Sequence, residues 1–427
     1  MKHFGTDGIR ALGKVFNAEY LEKILGGIVT LDNCKKVIIG RDTRVSGKAI
    51  EQKMAQLLSA KGVDVVIAGI VPTPTLAYLT KFLGCDYGIM LSASHNPPEY
   101  NGVKLFNAEG EKVSEAIELA CEEYIDNPYP IPDKKGSVSQ YSGANDYINY
   151  LLDKIKPDLK GMKILLDTSN GATSVVADKL FYDAKADVTV INNETNGINI
   201  NRNCGATVPE CLLNAMKGKD YDIGFTFDGD GDRVMCVAGG KILNGDHLMY
   251  VHSKAMLKEK KLKGNAMVGT IMSNLGTEKA CEKAGIKLVR TGVGDKMVFR
   301  EMEKNNYNLG GEESGHIIFM DYLRTGDGML SALLTAVLHK KQPIDTLDDI
   351  VECPSVSDFV MSDKAGMENF KSSKVIKEFL QSLEKKCRTV VRPSGTEPKI
   401  RILVEAESLS EARAIADKIK ETIYENI

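Results

Sequence analysis

The chain has 427 residues, 43% hydrophobic and 26% charged, with Lys+Arg 55 against Asp+Glu 58 and a formal net charge of −3. At roughly 100–200 residues per domain this length implies two to four domains, and the balanced charge excludes a basic surface built for nucleic acid or another polyanion. Nine scattered cysteines without a CxxC pair exclude a disulfide framework or a zinc site and point to reduced thiols.

The first stretch, "MKHFGTDGIR", has no apolar h-region, and no apolar run is long enough to span a membrane. A soluble, cytoplasmic protein without nucleic-acid or membrane partners is expected. "KKVIIG" predicts a strand over 36–40 and its flanks, followed by a helix over "GKAIEQKMAQLLSAKG" with Ser46 as N-cap and Gly62 as stop. "VDVVIAG" and "YGIMLSAS" read as further strands. This strand–helix–strand alternation predicts α/β layers with a mainly parallel sheet.

The rhythm restarts at "MKILLDTSNGATS", a strand entering a glycine turn, with a helix over 174–183, a strand at "ADVTVIN" and another at "DIGFTF". A third block runs from "AMVGTIMSN" through "IKLVRTG" to "YNLGGEESGHIIF". The last block differs: "TVVRPSGTEPKIRILVEAE" reads as two strands around a turn, and a C-terminal helix opens on a capping box from Ser408 to Glu411. Pro- and Lys-rich "NPYPIPDKKGSVSQ" (127–140), residues 237–243 and "KKQPIDTLDD" (340–349) mark the boundaries. They divide the chain into 1–138, 139–239, 240–342 and 343–427.

Four loops carry candidate chemistry. In "FDGDGDR", Asp228, Asp230 and Asp232 stand two residues apart, separated by glycines. Three carboxylates this close repel unless a hard cation neutralises them, and glycine lets the backbone curl so that their oxygens converge. An acidic surface turn is the competing reading. An EF-hand fits poorly, because Arg233 and Gly239 stand where that loop requires Gly and Glu. Mg²⁺, which takes few protein ligands plus a phosphate oxygen, suits the pattern.

In "GIMLSASHNPPEYNGVKLF" (88–106) an apolar strand breaks into a polar loop braced by Pro97 and Pro98. A serine exposed there could act as a nucleophile if a base or metal activates it; a structural turn is the alternative, and no GxSxG elbow is present. "GGEESGH" (310–316) offers Glu312, Ser314 and His316 to sugar hydroxyls, or forms a polar hairpin. "RPSGTEPKIR" (392–401) sets Arg392, Ser394 and Thr396 around Gly395, a set of donors suited to a phosphate dianion or else an exposed turn.

Taken together, "FGTDGIR" (4–10), "GRDTRVSG" (40–47), "SASHNP" (92–97), "NGVKLF" (101–106), "DGDGDR" (228–233), "GEESGH" (311–316) and "RPSGTEP" (392–398) resemble the α-D-phosphohexomutase superfamily over essentially the whole chain. The resemblance implies three mixed α/β domains plus a smaller, mobile C-terminal α+β domain, with one loop from each domain lining a central cleft. It implies that Ser94 carries a phosphate, which is a metal ligand beside Asp228, Asp230 and Asp232, with one Mg²⁺ per chain. Lys104 or His316 is then the general base, Lys104 ranked first, and Arg10 holds the geometry. Arg233, Glu312 and Ser314 contact substrate, while Arg392, Ser394, Gly395 and Thr396 grip the phosphate that is not reacting.

"TNGININ" (195–201), "CGAT" (204–207) and "TGDG" (325–328) look like the branch acting on glucosamine phosphates, whereas that branch commonly has an amide where this chain has Glu313. The implied activity interconverts glucosamine 6-phosphate and glucosamine 1-phosphate through a sugar 1,6-bisphosphate, feeding amino-sugar nucleotide and cell-wall precursor synthesis. A mutase for glucose or mannose phosphates, a metal-dependent sugar phosphatase and a silent sugar-phosphate-binding protein are the alternatives. Oligomeric state is open.

Overall fold

A computed structural model of the protein describes residues 2–5, 7–30, 34–383, 386–394 and 398–427. Two compact units emerge. The larger comprises 1–270 and 291–348, and the smaller 271–290 and 349–427.

The larger unit is built on α/β sheets. In the first, Lys36–Arg41 lies between Asp64–Ile70 and Tyr87–Leu91, parallel to both. Its side chains alternate between two cores: Val37 and Ile39 enter one cluster with Leu21, Ile24 and Met54, while Ile38 enters another with Leu76, Leu79 and Phe106. A strand apolar on both faces must be covered on both, and helices Ala18–Thr30 and Val45–Ala60 on one side and Thr73–Phe82 on the other do this. The mainly parallel expectation is modified here. Tyr100–Asn107 runs antiparallel to Tyr87–Leu91 and pairs on its far side with Ile9–Leu12. The short connection 92–99 is a loop, and parallel pairing would need a crossover.

The second sheet orders five strands, with Ile223–Phe227 in the middle, parallel to Lys163–Asp167 and antiparallel to Val234–Ala238. Residues 237–243, expected to mark a boundary, form a hairpin that turns at Gly239 and Gly240 with φ of 57° and 74°. In the third, Ala266–Thr270 pairs in parallel with Leu309–Gly311, which makes a hairpin with Ile317–Phe319. Tyr87–Leu91 and Ile223–Phe227 are buried at every position, and each delivers a candidate loop from its carboxyl end. In open α/β sheets that end is where ligands bind.

Ser46 is not the cap of its helix. Val45–Ala60 begins two residues earlier with Arg44 at the N-cap, and the Ser46 hydroxyl instead accepts from Asn101. The reason is Asp42, whose carboxylate accepts the Arg44 N–H at 3.0 Å and so stabilises the turn before the helix. Gly62 does follow the helix end, with φ of 88°.

The smaller unit is a three-stranded antiparallel sheet, Ser355–Met361, Lys399–Glu405 and Arg388–Pro393, covered by the C-terminal helix Leu409–Asn426. Ser408 caps that helix by accepting from Glu411 N. Residues 271–290 join this unit: Leu275 N donates to the buried Glu405 carboxylate at 2.9 Å, and Arg388 pairs with the same group at 2.9 Å. The architecture is three mixed α/β sheets plus a small α+β unit. Among the described residues no helix is long and apolar enough to cross a membrane, and no disulfide forms; burial pushes the Cys34 and Cys121 thiols up to about 12.

Candidate active site

Ser94 sits at the end of a buried strand and is itself fully buried. Its φ is 51°, a left-handed conformation that serine adopts only when surroundings enforce it. The enforcement is visible. Ser92 Oγ accepts from Ser94 N at 2.8 Å and donates to Asp42 at 2.7 Å. The buried Arg44 donates to Asp42, to the carbonyls of Ser94 (2.9 Å), Asn96 (2.8 Å) and Tyr100 (3.0 Å), and to that of Pro97. Asn201 Nδ2 donates to the Ser94 carbonyl from the second sheet's side at 2.9 Å. So held, the Ser94 hydroxyl donates to Asp228 Oδ2 at 2.6 Å.

Asp228, Asp230 and Asp232 converge, each offering an oxygen within 4.8 Å of the others, and all are buried. Gly231, with φ of 73°, provides the reversal. A Cβ at Gly229 would meet the Ser94 carbonyl at 2.8 Å, so glycine there lets the two loops touch. Burial, then the two neighbouring carboxylates, hold the Asp228 carboxyl well above its ordinary range. Asp230 Oδ1 and Asp232 Oδ1 are buried without a hydrogen-bond partner. Orphaned oxygens on clustered carboxylates fit a divalent cation ligated by Asp228, Asp230 and Asp232.

Lys104 is buried, not a surface lysine, and points its ammonium at Asp230 (2.7 Å), Asp7 (2.8 Å) and Asp232 (3.2 Å). Burial alone would lower its pKa; the three carboxylates outweigh that and raise it well above the ordinary range. Arg10 reaches Asp7 and, at 3.2 Å, Asn96. Arg233 donates its N–H to Asp228 at 3.2 Å, and its guanidinium lies 3.8 Å from Asp232. Both guanidinium Nε atoms are buried and lack hydrogen-bond partners. His95 is 3.4 Å from the Ser94 hydroxyl, and burial followed by Arg233 and Arg10 lowers it to about 4, so it is neutral at pH 7.

The "GEESGH" stretch is a hairpin turn that presents its polar groups. Gly315 N donates to the Glu312 carbonyl at 3.0 Å, Gly294 N donates to the Glu312 carboxylate at 3.0 Å, and Ser314 Oγ is buried without a partner. His316 lies with Nδ1 3.7 Å from Asp232. In the smaller unit, Ser394 N donates to Lys399 O at 2.8 Å, and Arg392 stands directly opposite Arg401. Burial and then Arg401 lower the Arg392 pKa, a mark of concentrated positive charge. Gly395 and Thr396 lie outside the described residues.

The structure thus gathers Arg10, Ser94, Lys104, Asp228, Asp230, Asp232, Arg233 and His316 through direct contacts or within one step of one another. Sequence reasoning missed Asp7, Asp42, Arg44 and Asn201. Each lies in a quoted motif, but only three-dimensional pairing separates it from its neighbours.

Four family models cover nearly all of the chain: phosphoglucomutase/phosphomannomutase alpha/beta/alpha domain I over residues 1–130, domain II over 145–241, domain III over 244–356, and the C-terminal domain over 357–422. The chain belongs to the phosphoglucomutase/phosphomannomutase family, that is, to the phosphohexomutases, and is an isomerase. Among similar proteins, the phosphoglucosamine mutase of Geobacillus kaustophilus is 43% identical over 99% of this chain and 98% of its own length. That of Clostridioides difficile is 39% identical over 100% and 99%. A phosphoglucomutase/phosphomannomutase family protein from Burkholderia thailandensis shares the fold with a TM-score of 0.83 at 23% identity, covering 98% of this chain and 97% of that one. Aspergillus fumigatus N-acetylphosphoglucosamine mutase, solved with GlcNAc-6P and magnesium, does so at 0.69 and 17% identity, covering 99% and 95%.

Proposed function

We propose that this enzyme interconverts glucosamine 6-phosphate and glucosamine 1-phosphate through a phosphorylated Ser94 and a glucosamine 1,6-bisphosphate intermediate. The observation that carries the reading is the Ser94 hydroxyl, 2.6 Å from Asp228 at the edge of a carboxylate triad with two orphaned oxygens. The glucosamine assignment rests on the relatives named phosphoglucosamine mutase, 43% and 39% identical over the full chain.

In this mechanism a free sugar hydroxyl attacks the phosphorus of phospho-Ser94. The bond from Ser94 Oγ to phosphorus breaks, the new sugar phosphate ester forms, and the sugar hydroxyl proton passes to a base. The bisphosphate turns around, and Ser94 takes back the other phosphate. Asp228, Asp230 and Asp232 would hold a divalent cation, which would supply charge stabilisation for the transferring phosphoryl group. Arg233 and Arg10, whose Nε atoms lack hydrogen-bond partners, donate to phosphate oxygens.

Lys104 is the first candidate base. It is held protonated by carboxylates at 2.7, 2.8 and 3.2 Å, and sharing two of these with a cation removes much of that support. His316 is the second candidate. Glu312 and Ser314 hold sugar hydroxyls, and Arg392 with Ser394 serves phosphate recognition. Positioning dominates such transfers, which agrees with the density of bonds fixing the Ser94 loop.

The deciding experiment combines a coupled assay for glucosamine 1-phosphate with intact-mass measurement. Turnover of glucosamine 6-phosphate together with one phosphate on Ser94 supports the reading. Release of inorganic phosphate without sugar 1-phosphate makes the protein a phosphatase instead.

A further inference from the structure

Six charged groups form a closed ring beside the metal triad. Lys104 contacts Asp7 at 2.8 Å, and Asp7 contacts Lys112 at 2.5 Å. Lys112 contacts Asp295, and Asp295 lies 3.6 Å from His316 Nε2. His316 Nδ1 lies 3.7 Å from Asp232, which returns to Lys104 at 3.2 Å. Signs alternate all the way round when His316 is protonated. His316 is only 3% exposed, and Lys112 and Asp295 keep side-chain exposures of 13% and 10%. Three of the six, Asp7, Lys112 and Asp295, touch neither the triad nor Ser94, and the last two close the ring behind His316.

The imidazole is caged on its other sides. A Cβ at Gly326 would fall 2.2 Å from Nε2, so the "TGDG" backbone packs against the ring. A cavity of about 190 Å³, lined among others by Lys112, Asp295, Phe299, His316 and Thr325 and by none of the triad, adjoins the ring. On that side Asp295 is the carboxylate that faces His316. Without it the imidazole loses its charged partner at Nε2 and keeps only Asp232 at Nδ1.

We infer that Asp295, anchored by Lys112, is a positioning residue that keeps the His316 imidazole turned toward Asp232 and the reacting groups. The pair joins two separate sheets, since Lys112 follows the first-sheet strand Tyr100–Asn107 and Asp295 opens helix Asp295–Asn305 in the third. It therefore helps tie the strand bearing Lys104 to the turn bearing His316. Groups that orient a functional histidine commonly contribute ten- to a hundredfold in activity. The inference rests on the proposed role of His316 in the mutase reaction.

The test uses full-length Asp295→Asn, Lys112→Met, Lys112→Arg and His316→Gln, with Arg300→Gln as control. Arg300 pairs with Glu115 at 3.5 Å, and both side chains are about half exposed. Asp295→Asn and Lys112→Met are expected to lower kcat about tenfold or more with KM within about twofold, Lys112→Arg to restore most of it, and Arg300→Gln to change nothing. Asp295→Asn should add nothing to His316→Gln, because both act through one ring. The protein has only six histidines, so imidazole ¹⁵N shifts identify His316 directly, and Asp295→Asn is expected to move its Nε2 resonance whatever sugar the enzyme prefers. Unmoved His316 resonances overturn the inference even if mutase activity is present. So does a kcat loss that multiplies in full with that of His316→Gln. Moved resonances with no mutase activity in the wild type would instead count against the proposed function alone.

Discussion

The Arg44 guanidinium donates to the Ser94 carbonyl at 2.9 Å while its Nε binds Asp42 at 2.8 Å, and Asp42 also accepts from Ser92. One buried ion pair thereby fixes both ends of the loop that aims Ser94 at Asp228. Removing only the cation strands a buried carboxylate, which costs about 3–5 kcal/mol. Arg44→Met is expected to lose that much stability, and Asp42→Asn with Arg44→Met to recover part of it. Urea denaturation of the three proteins measures both; equal losses for the single and double variants would mean that Asp42 is not the stranded group.

Ser94→Ala is expected to abolish phosphoryl transfer. Ser92 cannot substitute, since its hydroxyl is engaged with Asp42 at 2.7 Å and with Ser94 N at 2.8 Å. Peptide mapping of the purified enzyme checks this. A stable phosphate on Ser92 would refute the assignment.

Much of this site was legible beforehand, because its chemistry is local. "DGDGDR" and "SASHNP" each hold their candidate chemistry within six residues, and the strands before them are buried throughout. What escaped is the pairing between distant segments. Asp7, Lys112 and Asp295 are ordinary charged residues in sequence, and their burial side by side depends on the first and third sheets meeting. Ser46 looked like a cap because hydroxyl residues favour that position, but Asp42 already stabilises the turn and Asn101 claims Ser46. Nor does the sequence show that the Leu275 N–H and Arg388 share the buried Glu405. No periodicity encodes such a choice.

Metal dependence follows from the orphaned oxygens. Asp230 Oδ2 already accepts from Lys104 at 2.7 Å and from the Thr73 hydroxyl, so Oδ1 is the oxygen left for a cation. Asp230→Asn is expected to lower turnover by roughly 100-fold or more and to raise the Mg²⁺ concentration needed for half-activity. EDTA is expected to abolish activity and Mg²⁺ to restore it. Full activity in excess EDTA would remove the metal from the mechanism.

Asp327 gives a pH signature away from the triad. It caps helix Gly328–Lys341 and accepts the Tyr147 hydroxyl at 2.7 Å, and burial raises it to about 6. The folded protein thus holds a proton that the unfolded chain releases near pH 4, so this carboxyl's contribution is present at low pH and lost as pH rises through 6. Asparagine caps equally well and never ionises. The stability of Asp327→Asn relative to the wild type should therefore improve by about 1–2 kcal/mol between pH 5 and pH 8. Denaturant midpoints at the two pH values decide it, and a difference that does not change with pH would mean that Asp327 ionises normally.

The sugar remains to be chosen by chemistry at C2, where glucosamine carries an ammonium and glucose a hydroxyl. A site selecting the amine needs an acceptor there, and a carboxylate accepting from an ammonium forms a stronger bond than a neutral pair. Glu312 has one oxygen engaged by Gly294 N at 3.0 Å and keeps its charge partly buried, while Ser314 Oγ nearby lacks a partner and Glu313 is exposed. On the proposed function, the anchored Glu312 carboxylate and the Ser314 hydroxyl would meet the sugar edge. Glucosamine 6-phosphate is expected to exceed glucose 6-phosphate and mannose 6-phosphate in kcat/KM by about tenfold, which corresponds to about 1.4 kcal/mol of transition-state binding. Glu312→Gln should narrow that ratio by weakening the amine more than the hydroxyl. The three substrates are compared at saturating Mg²⁺ with equal bisphosphate activator. Faster reverse turnover of glucose 1-phosphate than of glucosamine 1-phosphate would assign the enzyme to glucose phosphates, with the same serine and the same triad performing the transfer.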